Sequence, residues 1–318
     1  MLGTLAVFFT YRAGMAAVSP GAALVGAAVV AFNRTAMEQT SHVSSDATTA
    51  AAGAAALWGA VSMLRFRATW AYHVSAMAAG AAAAFKYTSL VLFVLPVAAH
   101  VLTSRPRSSP CMMFPAFLDP PKFLSDQAAA KEFYRQAPMG TAGKARSVVV
   151  RTLALLDAGR IDGADAAGSP TVPPYAPAAT GLPVAAAAVV GAVALARSRP
   201  RLLIVLLAPV AAFHLLIGPA TTFYFTRHLL PALPSLALLA GFGVVHAASW
   251  AAPLAGRAAG PAKSRAALTA SLALGLAVVV PPAAVNCPVL HAFAVRPDTR
   301  SALSAMMLKS CRPAPESS

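Results

Sequence analysis

The chain has 318 residues, of which 58% are hydrophobic and only 11% are charged, and its mean hydropathy is +0.66. This apolar content exceeds what a soluble domain needs to fill one core, so the composition excludes an ordinary soluble protein and favours a membrane protein. The formal net charge of +15 does not indicate a nucleic-acid-binding protein, because the basic residues stand in short clusters between apolar runs, without interleaved aromatic residues.

Apolar runs that approach the length of a membrane-spanning helix recur along the chain. They predict an all-α, polytopic transmembrane bundle of about eight to nine helices. Alanine and glycine are frequent in these runs, so the helix backbones are expected to pack closely. The predicted helices cover residues 1–11, 18–32, 47–64, 69–85, 88–103, 180–196, 202–218, 229–249 and 266–285.

The stretch between the two groups of helices differs in composition. Residues 104–179 are rich in proline, glycine, serine and charge, which predicts an extramembrane loop region with short amphipathic helices. The predicted organisation is therefore N-terminal transmembrane helices over 1–103, this loop region, C-terminal transmembrane helices over 180–285, and a short non-cytoplasmic tail over 286–318.

The positions of Lys and Arg indicate which helix ends are cytoplasmic, because cytoplasmic loops carry an excess of these residues. Counted from the N-terminus, this rule places Arg65 and Arg107 inside and Lys86 outside. Counted back from the C-terminus, it places Arg197 inside, so the helix at 180–196 begins outside. The two counts conflict. Either a weak crossing lies within 108–179, or one helix is missing from this stretch.

Two cations break the positive-inside bias, and both lie at helix ends on the predicted non-cytoplasmic side. Lys86 stands in Phe85-Lys86-Tyr87, and Arg227 stands beside His228. An anionic partner such as a phosphate at the membrane interface explains both cations. The simpler interpretation is that Lys86 snorkels and that Arg227 anchors the interface after an aromatic belt.

Asp46 begins a predicted helix on the same side, where a carboxylate interacts favourably with the positive end of the helix dipole. His42 precedes it by four residues, so a shared helical face would make an acid/base or metal pair. One histidine and one carboxylate are a weak metal signal, and a surface histidine is the simpler interpretation. The chain has no Walker A, GxSxG, HExxH or GxGxxG pattern, so the sequence gives no support to soluble nucleotide or hydrolase chemistry.

At these positions the chain resembles the polytopic C-type (GT-C) glycosyltransferases, specifically the dolichyl-phosphate-mannose protein mannosyltransferase-like family and its bacterial lipid-linked-sugar relatives. The resemblance is distributed over several short segments in a fixed order rather than carried by one motif. These segments are Ala31-Phe32 with Ser41-His42 and Asp46; Phe85-Lys86-Tyr87-Thr88; Phe114-Pro115-Ala116-Phe117-Leu118-Asp119-Pro120-Pro121; Arg227-His228-Leu229-Leu230-Pro231; and Arg296-Pro297-Asp298-Thr299-Arg300.

The resemblance implies a glycosyltransferase that uses a polyprenyl- or dolichyl-phosphate sugar on the non-cytoplasmic face and passes the sugar to a protein, lipid or glycan acceptor. Lys86, Tyr87, Arg227 and His228 would then bind the lipid phosphate. Asp46 and His42 would support the site, through hydrogen bonds or a divalent cation. Membrane lipids are the expected surroundings, in the endoplasmic reticulum of a eukaryote or the plasma membrane of a bacterium.

Two departures from the family pattern stand out. The acidic catalytic base of the family lies in its first lumenal loop, so the resemblance expects this base upstream of Met1. Relatives also place a membrane helix where this chain has only Ser108 to Met113, which would account for the conflict between the two charge counts. The alternative to a truncated transferase is a multi-helix transporter or a non-enzymatic membrane protein.

Overall fold

The computed structural model describes residues 1–17, 19–41, 44–103, 182–217 and 226–254, and a few positions between 269 and 277. The described part is helical throughout and contains no strand, which confirms the all-α prediction for these residues. The predicted loop region 104–179, the tail 286–318 and nearly all of the predicted helix 266–285 lie outside the described residues.

The helices follow one another with short connections. In chain order they are α1 (Leu2–Ala17), α2 (Pro20–Phe32), α3 (Arg34–Ser41), α4 (Ser45–Phe66), α5 (Thr69–Phe85), the 3-10 helix η1 (Tyr87–Phe93), α6 (Val94–Thr103), α7 (Leu182–Ser198), α8 (Pro200–Ala212) with a π-helical turn at Phe213–Ile217, the 3-10 helix η2 (Thr226–Ala232) and α9 (Leu233–Leu254).

The first helix differs from the prediction. It was expected to end near residue 11, before the charge of Arg12, but it continues to Ala17. The guanidinium of Arg12 lies 5.3 Å from the centre of the Trp58 ring. A cation over an aromatic face is stabilised by the ring quadrupole, so this charge does not end the helix.

A second correction concerns residues 33–46, which lie between two predicted helices and contain the short helix α3. Asn33 stands just before α3, and its Oδ1 accepts a hydrogen bond from the backbone N–H of Ala36 at 3.0 Å. An Asn side chain at this position satisfies one of the donors that a helix start leaves unpaired. The helix is polar, so its sequence lacks the apolar run on which the helix predictions were based.

Close backbone approach between helices confirms the packing expected from the alanine and glycine content. A Cβ atom added to Gly191 of α7 would overlap the carbonyl oxygen of Leu239 in α9, and one added to Gly243 of α9 would overlap the carbonyl oxygen of Ala187. At Gly59 of α4 the added atom would lie 2.6 Å from a backbone nitrogen of α5. Only glycine permits these contacts.

Two of the described helical stretches are long and apolar enough to cross a membrane, Ser45–Phe66 and Leu229–Trp250. Most of each stretch is buried inside the bundle. Helix α4 contacts α1, α5, α6 and η2 and therefore lies at the centre of the described part. Its first turn and its last turn define the two ends of the bundle, which we call the Asp46 end and the Arg65 end.

Candidate functional site

The Asp46 end gathers the start of α4 and the end of α5. The two helices are joined by only two residues, 67 and 68, and they pack along each other. The chain therefore reverses between them, which brings the last residue of α5 back to the level of the first turn of α4. This reversal places Lys86, which follows Phe85, next to Asp46 although 40 positions separate them in sequence.

The first turn of α4 holds Asp46 in a fixed position. Ser44 is the N-cap of the helix, and its Oγ accepts a hydrogen bond from the N–H of Ala47 at 3.3 Å. The same hydroxyl donates to the carbonyl oxygen of Gln39 at 2.9 Å, which ties the end of α3 to the start of α4. Thr49, fully buried, donates to the carbonyl oxygen of Asp46 at 3.0 Å. The backbone around Asp46 is therefore held from both sides.

Lys86 is held with similar precision at the junction of two helices. Its N–H donates to the carbonyl oxygen of Ala82 at 3.0 Å and ends α5, and its own carbonyl accepts from Ser89 at 2.8 Å as η1 begins. Its backbone is extended, with φ −154° and ψ 115°. The side chain of Lys86 therefore starts from the turn between two helices rather than from the face of one.

The ammonium group of Lys86 donates to Oδ1 of Asp46, and the two side chains form an ion pair. The lysine side chain is 17% exposed and the aspartate side chain 10% exposed, so both charges are largely withdrawn from solvent. Each charge is also at the favourable end of a helix dipole, the carboxylate at the N-terminus of α4 and the ammonium at the C-terminus of α5. Lys86 keeps two further N–H donors for another acceptor.

The 3-10 helix η2 packs against this end of the bundle and contacts α3, α4 and η1. Its contact with α4 is close, because a Cβ atom on Gly53 would lie 2.9 Å from the carbonyl oxygen of Pro231. Arg227 and His228 belong to η2, so the structure brings the backbone of these predicted phosphate-binding residues to the same end as Lys86. Their side chains lie outside what the structure describes.

Two prolines lie where η2 joins α9. Pro231 has no N–H, so it cannot donate the α-helical hydrogen bond to the carbonyl of Arg227 four residues earlier. Pro234 removes the equivalent donor for Leu230. These two missing donors interrupt the α-helical hydrogen bonds where η2 joins α9.

The remaining predicted site residues are only partly placed. Tyr87 begins η1, directly after Lys86, but its side chain is not among those described. His42 lies outside the described residues. The pairing of His42 with Asp46 on a shared helical face therefore stays a prediction.

No group of three or more His, Cys, Asp or Glu side chains that could hold a metal ion occurs within the described residues. Two histidines outside the Asp46 end, His100 and His246, take part in aromatic packing. The ring of His100 meets Tyr72 edge-on at 5.8 Å, and His246 lies between Phe242 and Trp250.

The pairing of Asp46 with Lys86 was not predicted, although both residues were. The sequence indicated a helix-start role for the carboxylate and no protein partner for the lysine. A signal was present in the chain, because α4 and α5 were predicted as consecutive helices with a short link, and such helices are antiparallel neighbours. A lone acid at the start of one and a lone base at the end of the next must then lie at the same level.

Comparison with known proteins gives this chain no assigned relative. No protein-family model matches it, no curated protein is similar to it, and no solved structure resembles it.

Proposed function

We propose that this chain is a multi-pass membrane protein of the GT-C type that uses a polyprenyl- or dolichyl-phosphate sugar on the non-cytoplasmic face of its membrane. The acceptor is a protein, lipid or glycan. The observation that carries the proposal is the ion pair between Lys86 and Asp46, with η2 packed beside it. The resemblance of the sequence around these same residues to lipid-linked-sugar transferases is the second support.

The length of α4 supports the membrane part of the proposal. Asp46 and Arg65 are 19 positions apart in this helix, which at about 1.5 Å per residue corresponds to about 29 Å. The hydrocarbon core of a bilayer is about 30 Å thick. The Asp46 end and the Arg65 end would then lie at opposite membrane surfaces, and the arginines at the Arg65 end would mark the cytoplasmic side.

The chemistry of sugar transfer from a lipid phosphate makes specific demands on such a site. The glycosidic bond between the sugar and the phosphate oxygen breaks, and the phosphate oxygen keeps the electron pair. The acceptor oxygen forms the new bond to the sugar and gives up its proton. Negative charge therefore grows on the leaving phosphate, and a cation fixed beforehand stabilises that change most effectively.

Lys86 meets this demand in the proposed mechanism. Asp46 holds the ammonium group in place without using all of its donors, so Lys86 can also donate to a phosphate oxygen. Because Asp46 cancels much of the charge of Lys86, a doubly charged leaving phosphate needs another cation. Arg227 of η2 is assigned that role, with His228 beside it. The proposal assigns no catalytic base to the described residues.

Binding of dolichyl phosphate to the purified 318-residue chain in detergent tests the proposal without requiring turnover. Lys86→Ala and Arg227→Ala should each weaken binding about tenfold, as expected for a lost charge-assisted hydrogen bond. Arg197→Ala removes an exposed cation at the other end of the bundle and should leave binding unchanged. Equal binding by all four proteins would remove the mechanism and favour the transporter or non-enzymatic alternative.

A further inference from the structure

A second feature lies at the opposite end of the bundle, where the ends of α1, α4 and α6 meet the start of α8. These elements enclose an open cavity of about 400 Å³. Four arginines line it, Arg65, Arg67, Arg199 and Arg201. In the sequence, arginines at this end indicated only a side of the membrane, and the transferase proposal gives them no chemical role.

No acidic side chain within the described residues neutralises the positive charge of this cavity. No Asp or Glu lines the cavity, and none of its four arginines forms a salt bridge in the described part of the chain. Four guanidinium groups around one space repel each other, so an anion entering it lowers their electrostatic energy. Guanidinium groups donate in pairs, which suits a phosphate better than a point charge.

Two structural features at the cavity involve the backbone of α8 and α1. The first turn of α8 opens beside it, and no side chain caps this helix start at Arg199. An uncapped helix N-terminus carries partial positive charge that favours an anion. Arg199 itself is tied to the end of α1, because its Nη1 donates to the carbonyl oxygen of Ala17 at 2.6 Å. Arg199 is therefore fixed by the contact between α1 and the start of α8.

Arg67 is held in a conformation that its residue type disfavours. Its φ of 53° and ψ of 28° lie in the left-handed region, at the end of α4. Glycine is the usual residue at this position of a helix end, because a Cβ atom makes the conformation costly. Compared with glycine, an arginine at this position destabilises the backbone but places a guanidinium at the cavity. This exchange is consistent with a ligand-binding role for the side chain.

The cavity also has an apolar part. Val61, Leu64 and Leu102 line it together with the alanines at the end of α1. A small inorganic anion gains nothing from contact with apolar side chains. A lipid head group continues into glycerol carbons and acyl chains, which can pack against them. The mixture of arginines and aliphatic side chains therefore matches an amphiphile.

We propose that this arginine-lined cavity binds the phosphate monoester head group of an anionic membrane lipid. The shared chemistry is a phosphate with two negative charges, held by the fork-shaped guanidinium groups. A soluble phosphate has the same chemistry and is the alternative source that the experiment must separate. This inference is independent of the transferase proposal, since it uses none of the residues at the Asp46 end.

Native mass spectrometry of the purified full chain tests the proposal, with dioctanoyl phosphatidic acid as the probe and dioctanoyl phosphatidylcholine as the control lipid. Phosphatidic acid should bind at one site, and phosphatidylcholine should bind at least about tenfold more weakly. Competition with inorganic phosphate separates the sources. Displacement at equal concentration would retain the phosphate site and identify its ligand as soluble, while failure to displace assigns the site to the lipid.

Variants locate the bound lipid. Arg65→Gln and Arg201→Gln should each weaken phosphatidic acid binding about tenfold. Arg197→Gln is the matched control, because Arg197 is an exposed arginine at the same end that does not line the cavity. An equal loss in Arg197→Gln would reduce the effect to general surface charge and overturn the site, as would the absence of binding in the unsubstituted chain.

Two further variants separate binding from folding. Arg67→Gly relieves the left-handed strain, so the thermal unfolding temperature should stay equal or rise while lipid binding falls. Ser198→Trp fills the cavity from an exposed lining position and leaves all four arginines in place. It should abolish binding without a change in charge, and unaltered binding in this variant would exclude the cavity.

Discussion

The ammonium group of Lys86 donates a hydrogen bond to Oδ1 of Asp46, across the interface between the C-terminal end of α5 and the first turn of α4. The pair is largely buried, and neither residue has a second ionic partner within the described residues. A buried ion pair contributes little net stability compared with apolar side chains of the same size, but the loss of one partner leaves the other uncompensated. This asymmetry allows its structural and chemical roles to be separated.

The first prediction concerns the stability of the chain when this pair is broken. Asp46→Leu and Lys86→Met should each lower the free energy of unfolding by about 2–4 kcal/mol, because each leaves a withdrawn charge unpaired. The double variant should recover most of that loss. Chemical denaturation in detergent measures the three values, and additive losses would mean that the two side chains are not energetically coupled.

Dolichyl phosphate binding by the same double variant distinguishes a structural role of the ion pair from a functional one. If the ion pair only stabilises the bundle, the refolded double variant should bind dolichyl phosphate as well as the unsubstituted chain. The proposed function predicts a binding loss of about tenfold despite the recovered stability, since the phosphate has lost its lysine donors.

The second prediction tests whether η2 belongs to the site. Gly53→Ala should push η2 away from α4, because the new methyl group would lie 2.9 Å from the carbonyl oxygen of Pro231. Dolichyl phosphate binding should fall although no charged residue has changed. Gly14→Ala is the control, since it crowds the Cα atom of Ala23 at 2.6 Å in a different helix pair. It should reduce stability to a similar degree and leave binding intact.

The two glycine variants have separate contradicting outcomes. If Gly53→Ala is measurably destabilised but binds dolichyl phosphate normally, η2 and its Arg227 lie outside the binding site. Equal binding losses in Gly53→Ala and Gly14→Ala would instead trace the effect to general loosening of the bundle.

Much of the described fold was predictable because apolar runs and short links fix where helices begin and reverse. Helix α5 was predicted with the bounds that the structure has, Thr69–Phe85. The polar helix α3 was missed because it contains no apolar run. The predicted helix 229–249 begins before α9, because its first residues belong to the 3-10 helix η2. Hydropathy does not record the backbone donors that Pro231 and Pro234 lack at this junction.

The candidate site was predictable in its residues but not in its contacts. Asp46 and Lys86 stood out in the sequence because acidic and basic residues are rare at the ends of such apolar helices. Their pairing depends on the antiparallel packing of α4 and α5, which sets the level of each helix end. The cavity at the Arg65 end was not predicted, because it forms only when helix packing brings Arg65 and Arg201 close together.

The third prediction concerns the packing of α7 against α9. Gly191→Ala should lower the free energy of unfolding by about 1–3 kcal/mol or more, because its methyl group would overlap the carbonyl oxygen of Leu239. Gly21→Ala is the matched control, since its methyl group would meet only a side-chain carbon of Val245 at 3.5 Å. It should be neutral or stabilising by up to about 1 kcal/mol, as alanine favours helix over glycine. Similar thermal unfolding temperatures for both variants would contradict the close backbone contact.

The last prediction compares two fully buried serines in the neighbouring helices α4 and α5. Oγ of Ser75 donates to the carbonyl oxygen of Ala56 at 2.9 Å, whereas Oγ of Ser62 has no hydrogen-bond partner within the described residues. Ser75→Ala should therefore lower the free energy of unfolding by about 1 kcal/mol, the net value of a typical hydrogen bond.

Ser62→Ala should leave the free energy of unfolding unchanged or raise it, because it removes a buried hydroxyl whose lost hydration no hydrogen bond within the described residues replaces. Both substitutions delete one oxygen atom from a helix, so their difference isolates the hydrogen bond from the change in helix propensity and volume. Denaturation of the two variants under the same detergent conditions measures that difference. A greater loss in Ser62→Ala than in Ser75→Ala would show that Ser62 donates to a group outside the described residues.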